Sequence, residues 1–459
     1  MTLIKSISGI RGTIGGEVGD SLTPVDTVAF AAAYAGFIKE RSGKSDPVVV
    51  VGRDARLSGP MVQDLVTATL RMSGVHVRDA GLSTTPTVEM AVVFEKADGG
   101  IILTASHNPK QWNALKLLNE KGEFLSAADG SAILEAIEHG RYDFCEVDAL
   151  GDHQVLDDVL DKHIQAIIDL PYVDRDAIAK AGFRVAVDAV HSSGGIAIPR
   201  LLRALGVEEI EELYCEPTGH FPHNPEPLEE HLGEIMKCTR EKQCALGIVV
   251  DPDVDRLALI TEEGKMFGEE YTLVICADYL LPIKGGPTVS NLSSSRALRD
   301  ISRQHGYDHT ASAVGEVNVV AEMKNSQAVI GGEGNGGIIL PDLHYGRDSL
   351  VGVALVLSHL ARSGKKLSEL KAGYPAYEMI KEKIQLDPAM DVDGLLMKVA
   401  DRFSDEEVST VDGVKVDFKG GWVHLRKSNT EPILRVYAEA KSSEEARRLV
   451  GMLQEVIES

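Results

Sequence analysis

No apolar run in these 459 residues approaches the ~18 consecutive apolar residues that a membrane-spanning helix needs, although the hydrophobic content of 44% is ordinary for a globular protein. The opening Met1-Thr-Leu-Ile-Lys-Ser6 lacks a basic segment followed by an apolar stretch, so no secretion signal is read and a cytoplasmic location is expected. Cysteine is scarce. The five residues Cys145, Cys215, Cys238, Cys244 and Cys276 are odd in number, widely spaced and include no Cys-x-x-Cys pair, which argues against disulfides and structural zinc. Positive charge is also short: 47 Lys plus Arg against 70 Asp plus Glu leave a formal charge of −23, so neither nucleic acid nor a membrane is an expected partner. An acidic chain still binds phosphate where its basic residues are gathered locally.

What is present is a repeated alternation of strand and helix. The length exceeds what one core serves and implies about three or four domains. Pro47 to Gly52, Val75 to Ala80 and Ile101 to Leu103 read as buried strands, with helical patterns at Pro60–Met72 and Pro86–Lys96 between them. The acidic, glycine-interrupted stretch from Asp143 to Asp161 marks a first boundary. Phe183–Asp188, the glycine-led helix after Gly194 and Ala245–Val250 repeat the pattern. It recurs a third time in Thr288–Leu292, Ala328–Gly332 and a long helix from Ser349 to Ser363. The last segment differs, with a glycine-broken hairpin over Val411–Leu425, a strand to Ala440 and a helix that Ser442-Ser-Glu-Glu445 caps. The expected fold is α/β: three similar α/β domains with mixed, largely parallel sheets, at 1–152, 153–256 and 257–372, plus a C-terminal α+β domain at 373–459.

Several strands end abruptly on polar loops, which is where α/β folds handle ligands. Ile101-Ile-Leu-Thr-Ala-Ser106-His-Asn-Pro109 delivers a serine in this way, although the same residues also suit a turn and a helix cap. Asp251-Pro-Asp253-Val-Asp255-Arg256 places three carboxylates at alternate positions. Their mutual repulsion calls for a cation, and Mg²⁺ suits an all-oxygen set that lacks the glycine and terminal Glu of a calcium-binding hand. Arg426-Lys-Ser428-Asn429-Thr430 gathers a guanidinium, two hydroxyls and backbone donors, an inventory for phosphate, and Arg435 adds a second cation one strand further on. Gly331-Gly-Glu333-Gly-Asn335-Gly-Gly337 is not a dinucleotide fingerprint and no Walker lysine follows it. Its glycines let backbone approach a polar ligand, with Glu333 and Asn335 hydrogen-bonding hydroxyls. Near the start, Ser8-Gly-Ile-Arg11-Gly12 reads as a short loop with one free arginine, or simply as a turn with a solvated charge.

Taken together and in this order, Ser8–Gly12, Thr104–Pro109, Asp251–Arg256, Gly332–Gly337 and Arg426–Pro432 resemble the α-D-phosphohexomutase superfamily over essentially the whole chain. The resemblance implies four domains around a central cleft, each contributing one loop, and a small-molecule sugar phosphate as substrate. It implies that Ser106 is carried as a phosphoserine, that Ser106, Asp251, Asp253 and Asp255 bind Mg²⁺, and that a hexose 1,6-bisphosphate serves as intermediate and activator. By the same resemblance Arg11 and Arg256 contact the reacting phosphate, and Lys116 and His107 are acid/base candidates. Many relatives carry Ser and His where this chain has Asn335 and Gly337, which leaves the identity of the general acid/base open. Members of this kind act on glucosamine, glucose or mannose phosphates, and the expected reaction is glucosamine 6-phosphate to glucosamine 1-phosphate. Oligomeric state is left open between monomer and dimer. A metal-dependent phosphatase that loses the phosphoserine to water, and a non-catalytic sugar-phosphate sensor, are the readings from other classes.

Overall fold

The computed structural model describes residues 2–6, 9–385, 391–427 and 433–458. The chain packs as two compact units, one built from residues 1–272 and 336–369, the other from 273–335 and 370–459. Among the described residues no helix is long and apolar enough to cross a membrane.

In the first unit, a seven-stranded sheet runs in the order Ile4–Ser6, Gly9–Thr13, Trp112–Leu118, Gly99–Leu103, Val48–Arg53, His76–Leu82, His153–Val155. Its β-branched strands Val48–Arg53 and Gly99–Leu103 are buried on both faces between helices, as the continuous apolar runs predict. Pairings on the Val48–Arg53 side are parallel, whereas Trp112–Leu118 runs antiparallel to Gly99–Leu103. The reason is chain length. Residues 104–111 are too few for the dozen or more that a parallel crossover needs, so the strand carrying Ser106 turns straight back. This sheet is therefore mixed, with three parallel and three antiparallel pairings. Gly9–Gly12 also departs from the expected loop, of which Ser8 lies outside the described residues: Gly9–Thr13 is a strand laddered on Trp112–Leu118, with Gly9 opposite Lys116. Glycine is required there, because a Cβ would lie 1.9 Å from the Leu115 carbonyl oxygen.

A second sheet in the same unit repeats the layout on a smaller scale. Leu246–Val250 is parallel to Arg184–Asp188, which is parallel to Glu209–Leu213. Leu257–Thr261 then returns antiparallel to Leu246–Val250, so the acidic loop 251–256 has the same topological position as the Ser106 loop. The unit is completed by the antiparallel pair Gly337–Leu340 and His344–Arg347 and by helix Ser349–Ser363, which packs on helices Val159–Ile168 and Arg175–Ala181.

In the second unit, Thr288–Asn291 pairs in parallel with His309–Ser312 and with Ile330–Glu333. Its other part is antiparallel throughout, in the order Glu378–Gln385, Ile433–Ala440, Gly421–Lys427, Val414–Asp417, Glu407–Ser409. Helices Val392–Arg402 and Ser443–Glu458 cover that sheet through a core that includes Leu396, Val399, Leu425, Leu434 and Leu453. The expected cap is present, with the Glu445 amide donating to Ser442 Oγ at 3.3 Å. The architecture is thus four-domain α/β with mixed sheets.

Candidate active site

Ser106 sits one short turn beyond a fully buried strand, with φ at +49°, in a region that non-glycine residues seldom adopt. The turn is held from beneath by Arg56. This guanidinium, itself fully buried, donates through Nε to Asp54 Oδ2 at 3.0 Å and through Nη1 to the carbonyls of Pro109 at 2.8 Å and Trp112 at 2.9 Å. Its Nη2 donates to the carbonyls of Asn108, at 2.6 Å, and of Ser106. All five N–H donors are used, four of them on the Ser106 turn and one on Asp54. Thr104 Oγ1 donates to Asp54 Oδ2 at 2.7 Å and accepts the Ser106 amide at 2.9 Å. Backbone left without regular partners is therefore satisfied by side chains, and the serine is positioned rigidly.

The acidic loop comes to the same place. Ser106 Oγ donates to Asp251 Oδ2 at 2.7 Å, and the carboxylates of Asp251, Asp253 and Asp255 lie within 4.8 Å of one another, all buried. Val254 between them has φ of +65°, an unusual state for a β-branched residue and the means by which alternate aspartates are turned inward together. Ser192 Oγ and Ser193 Oγ donate to the Pro252 carbonyl at 2.7 and 2.9 Å and pin the loop from below. Asp251 Oδ1 accepts the Arg256 amide at 3.1 Å, while Asp253 Oδ1 and Asp255 Oδ1 are buried with no hydrogen-bond partner. Bare buried carboxylate oxygens next to a serine oxygen fit a hard divalent cation such as Mg²⁺.

Lys116 projects from the returning strand, and its Nζ donates to Asp253 Oδ2 at 2.7 Å and Asp255 Oδ2 at 3.3 Å. Burial opposes its charge, yet the two aspartates outweigh burial and hold its pKa above the usual lysine range. His107 Nδ1 lies 3.3 Å from Ser106 Oγ, and burial together with Arg256 keeps the imidazole pKa well below its ordinary value. Arg11 and Arg256 also face each other: burial and the Arg256 charge both lower the Arg11 pKa, as for two cations set to share an anion. Arg256 Nη1 lies 3.6 Å from Glu226 Oε1, and its buried Nε has no hydrogen-bond partner. The first unit thus gathers Ser106, His107, Lys116, Arg11, Arg256 and the three aspartates.

In the second unit, Glu333 Oε1 accepts from Asn291 Nδ2 at 2.8 Å and from the Gly315 amide at 3.2 Å, so the carboxylate is held at the end of its strand. Asn335 is partly buried two residues on. Arg426 and Arg435 are directly opposed on neighbouring antiparallel strands. Opposed like charges cost stability, and an anion between them would relieve the cost. Ser428, Asn429 and Thr430 lie outside the described residues.

Sequence reasoning passed over Asp54, Arg56, Thr85, Ser192, Ser193 and Arg347. A signal existed for the first two, because Val48–Arg53 also ends on a polar loop, Asp54-Ala-Arg56. None existed for Arg347, whose Nη2 reaches Asp255 Oδ2 at 2.7 Å across 92 residues of chain.

Comparison with known proteins agrees with this geometry. The chain matches the phosphoglucomutase/phosphomannomutase families for alpha/beta/alpha domain I over residues 3–143, domain II over 161–264, domain III over 268–377 and the C-terminal domain over 382–456. It is 35% identical to a phosphoglucomutase/phosphomannomutase of Thermococcus kodakarensis, covering 97% of this chain and 96% of that protein. A phosphoglucosamine/phosphogalactosamine mutase of Sulfurisphaera tokodaii is 29% identical over 98% of both chains. The crystal structure of a phosphoglucomutase/phosphomannomutase family protein from Burkholderia thailandensis superposes with a TM-score of 0.85 at 26% identity, covering 99% of this chain and 96% of that one. With a strand-end serine hydrogen-bonded to a buried aspartate triad and relatives aligned from end to end, the chain belongs to the α-D-phosphohexomutase superfamily as a phosphoglucomutase/phosphomannomutase-type isomerase.

Proposed function

We propose that this enzyme interconverts hexosamine 6-phosphate and 1-phosphate, glucosamine phosphate first among them, through a phosphorylated Ser106. The carrying observation is the 2.7 Å hydrogen bond from Ser106 Oγ to Asp251 beside two carboxylate oxygens with no protein partner. In the forward half-reaction the Oγ–P bond of phosphoserine breaks and a P–O bond forms to the free hydroxyl of the sugar monophosphate. The hydroxyl proton leaves to a base, and the product is a hexose 1,6-bisphosphate. The bisphosphate turns over, and Ser106 Oγ takes back the other phosphoryl group. Ser106, Asp251, Asp253 and Asp255 would hold Mg²⁺, which when bound neutralises charge on the transferring group.

The protein's own groups divide the remaining work. Arg11 and Arg256 bind the reacting phosphate, their mutual repulsion relieved by its charge. His107, 3.3 Å from Ser106 Oγ, is placed to take and return the proton on the serine side. Lys116, engaged by two carboxylates, holds Asp253 and Asp255 together and sets a positive charge beside them. Arg426 and Arg435, with Ser428, Asn429 and Thr430, form the clamp for the phosphate that is not reacting, and Glu333 and Asn335 hold sugar hydroxyls. One clamp serves both orientations of the bisphosphate, since a phosphate looks alike from either end of the sugar.

Glucose and mannose phosphates are the second reading, favoured by the name of the Thermococcus relative. The two readings separate when isomerisation of glucosamine, glucose and mannose phosphates is compared with Mg²⁺ and a trace of 1,6-bisphosphate. A kcat/KM for glucosamine phosphate below that for the neutral sugars would replace the first reading with the second. Ser106→Ala should abolish turnover of all three. Activity like that of the unaltered enzyme in this variant would overturn the phosphoserine mechanism, and steady phosphate release without isomerisation would make the protein a phosphatase.

A further inference from the structure

Each aspartate that flanks Val254 is held by one oxygen only. Asp253 Oδ2 accepts from Thr85 Oγ1 at 2.6 Å and from Lys116 Nζ at 2.7 Å, and Asp255 Oδ2 accepts from Arg347 Nη2 at 2.7 Å and from Lys116 Nζ at 3.3 Å. In both residues Oδ1 is buried and has no partner. A carboxylate free to rotate would present either oxygen; here the donors distinguish the two. We infer that Thr85 and Arg347 are positioning residues of the metal loop, each holding the outer oxygen of one aspartate so that the inner oxygen faces the shared cation position. The inference rests on the reading of Asp251, Asp253 and Asp255 as metal ligands. Outer-sphere partners of this kind orient ligands and tune affinity without touching the ion.

The two donors are themselves fastened by a buried polar clasp that no step of the reaction uses. Thr85 opens helix Thr85–Phe94, and its amide also donates to the Asp253 carbonyl at 2.8 Å. Two residues on, Thr87 Oγ1 lies 3.0 Å from His163 Nδ1, and Glu89 of the same helix has Oε2 3.3 Å from His344 Nδ1. His163 Nε2 and His344 Nε2 converge on Asp348 Oδ2 at 2.9 and 3.2 Å, and Asp348 follows Arg347 directly in the chain. Asp348 Oδ1 caps helix Ser349–Ser363 by accepting the amides of Leu350 at 2.8 Å and Val351 at 3.3 Å. Thr85 and Arg347 are therefore carried on two elements tied together behind them. Both imidazole Nε2 atoms thus share one carboxylate oxygen, and the clasp is closed by hydrogen-bond contacts between buried groups.

The test is the dissociation constant of Mn²⁺ for the full-length protein without substrate, read from the free-ion electron paramagnetic resonance signal. Thr85→Val removes the hydroxyl at nearly constant volume, and Arg347→Met removes the charge while keeping the stem. Each should weaken Mn²⁺ by about 10- to 100-fold, the usual cost of losing an outer-sphere partner. Thr85→Ser and Arg347→Lys, which keep a donor, should recover most of that loss. Thermal unfolding in chelator reports whether a variant is simply less folded; if Arg347→Met does not fold, Thr85→Val and Arg347→Lys carry the test. Wild-type affinity in both Thr85→Val and Arg347→Met, with unaltered binding by the parent protein, would overturn the positioning role and leave the metal loop standing. A parent protein that binds no Mn²⁺ would overturn both.

Discussion

Raising the pH from about 7 to about 9 should loosen the clasp of His163, His344, Asp348 and Glu89, and His344→Gln should remove that sensitivity. Burial alone would lower the His344 pKa from 6.5, but hydrogen bonds to Asp348 and Glu89 outweigh it and hold the group at about 10. The folded value lies above the unfolded one, so the contribution is complete below pH 6.5 and is lost as pH rises from there toward about 10. A full proton difference is worth about 1.4 kcal/mol per pH unit, or about 3 kcal/mol over two units. Because His163 shares the Asp348 carboxylate, about 2 kcal/mol is the better expectation for the single substitution. The assay is urea unfolding of the parent and His344→Gln proteins at matched pH, with the difference between them followed across the range. The other titrating groups then cancel. Hydrogen exchange at the Leu350 and Val351 amides, which Asp348 caps, reports the same opening locally. A stability gap that stays constant from pH 7 to pH 9, within about 0.5 kcal/mol, would refute the view that His344 is charged in the folded protein.

Two further outcomes follow from the geometry. If the proposed clamp holds the phosphate that is not reacting, Arg426→Met should raise KM for sugar phosphate by about tenfold or more with a smaller change in kcat; an unchanged KM counts against the clamp. Gly122→Ala should cost about 1–3 kcal/mol from its φ alone, at +72°, and more because its Cβ would lie 2.2 Å from the Glu89 carbonyl oxygen; a melting point equal to that of the parent would show that this turn relaxes.

Much of this was open to reading from residues alone. Helix Ser349–Ser363, the strands ending at Val250 and Leu103, and the Ser442 cap are local consequences of apolar spacing and capping chemistry, so their sequence carries them. The aspartate triad was legible for a similar reason. Three carboxylates within five residues repel one another in any fold that buries them, and the demand for a cation is already present in the spacing. Gly9–Gly12, read as part of a short loop, is strand because its partner lies about a hundred residues away. The antiparallel return beside Gly99–Leu103 was not read for a related reason, since it depended on how few residues separate Leu103 from Trp112.

What composition and spacing determined, then, was the inventory: a strand-end serine, an acidic loop, a glycine-rich loop and a basic turn, in the order of one family. What only the tertiary structure decided was which oxygen of each aspartate is left bare and which distant residues hold the other. Arg56, Thr85, Ser192 and Arg347 do their work through hydrogen bonds to groups 50 to 168 positions away. Such contacts leave no periodic trace in a chain. They depend on three-dimensional proximity, and a hydrogen bond a few tenths of an ångström too long or badly angled is largely lost.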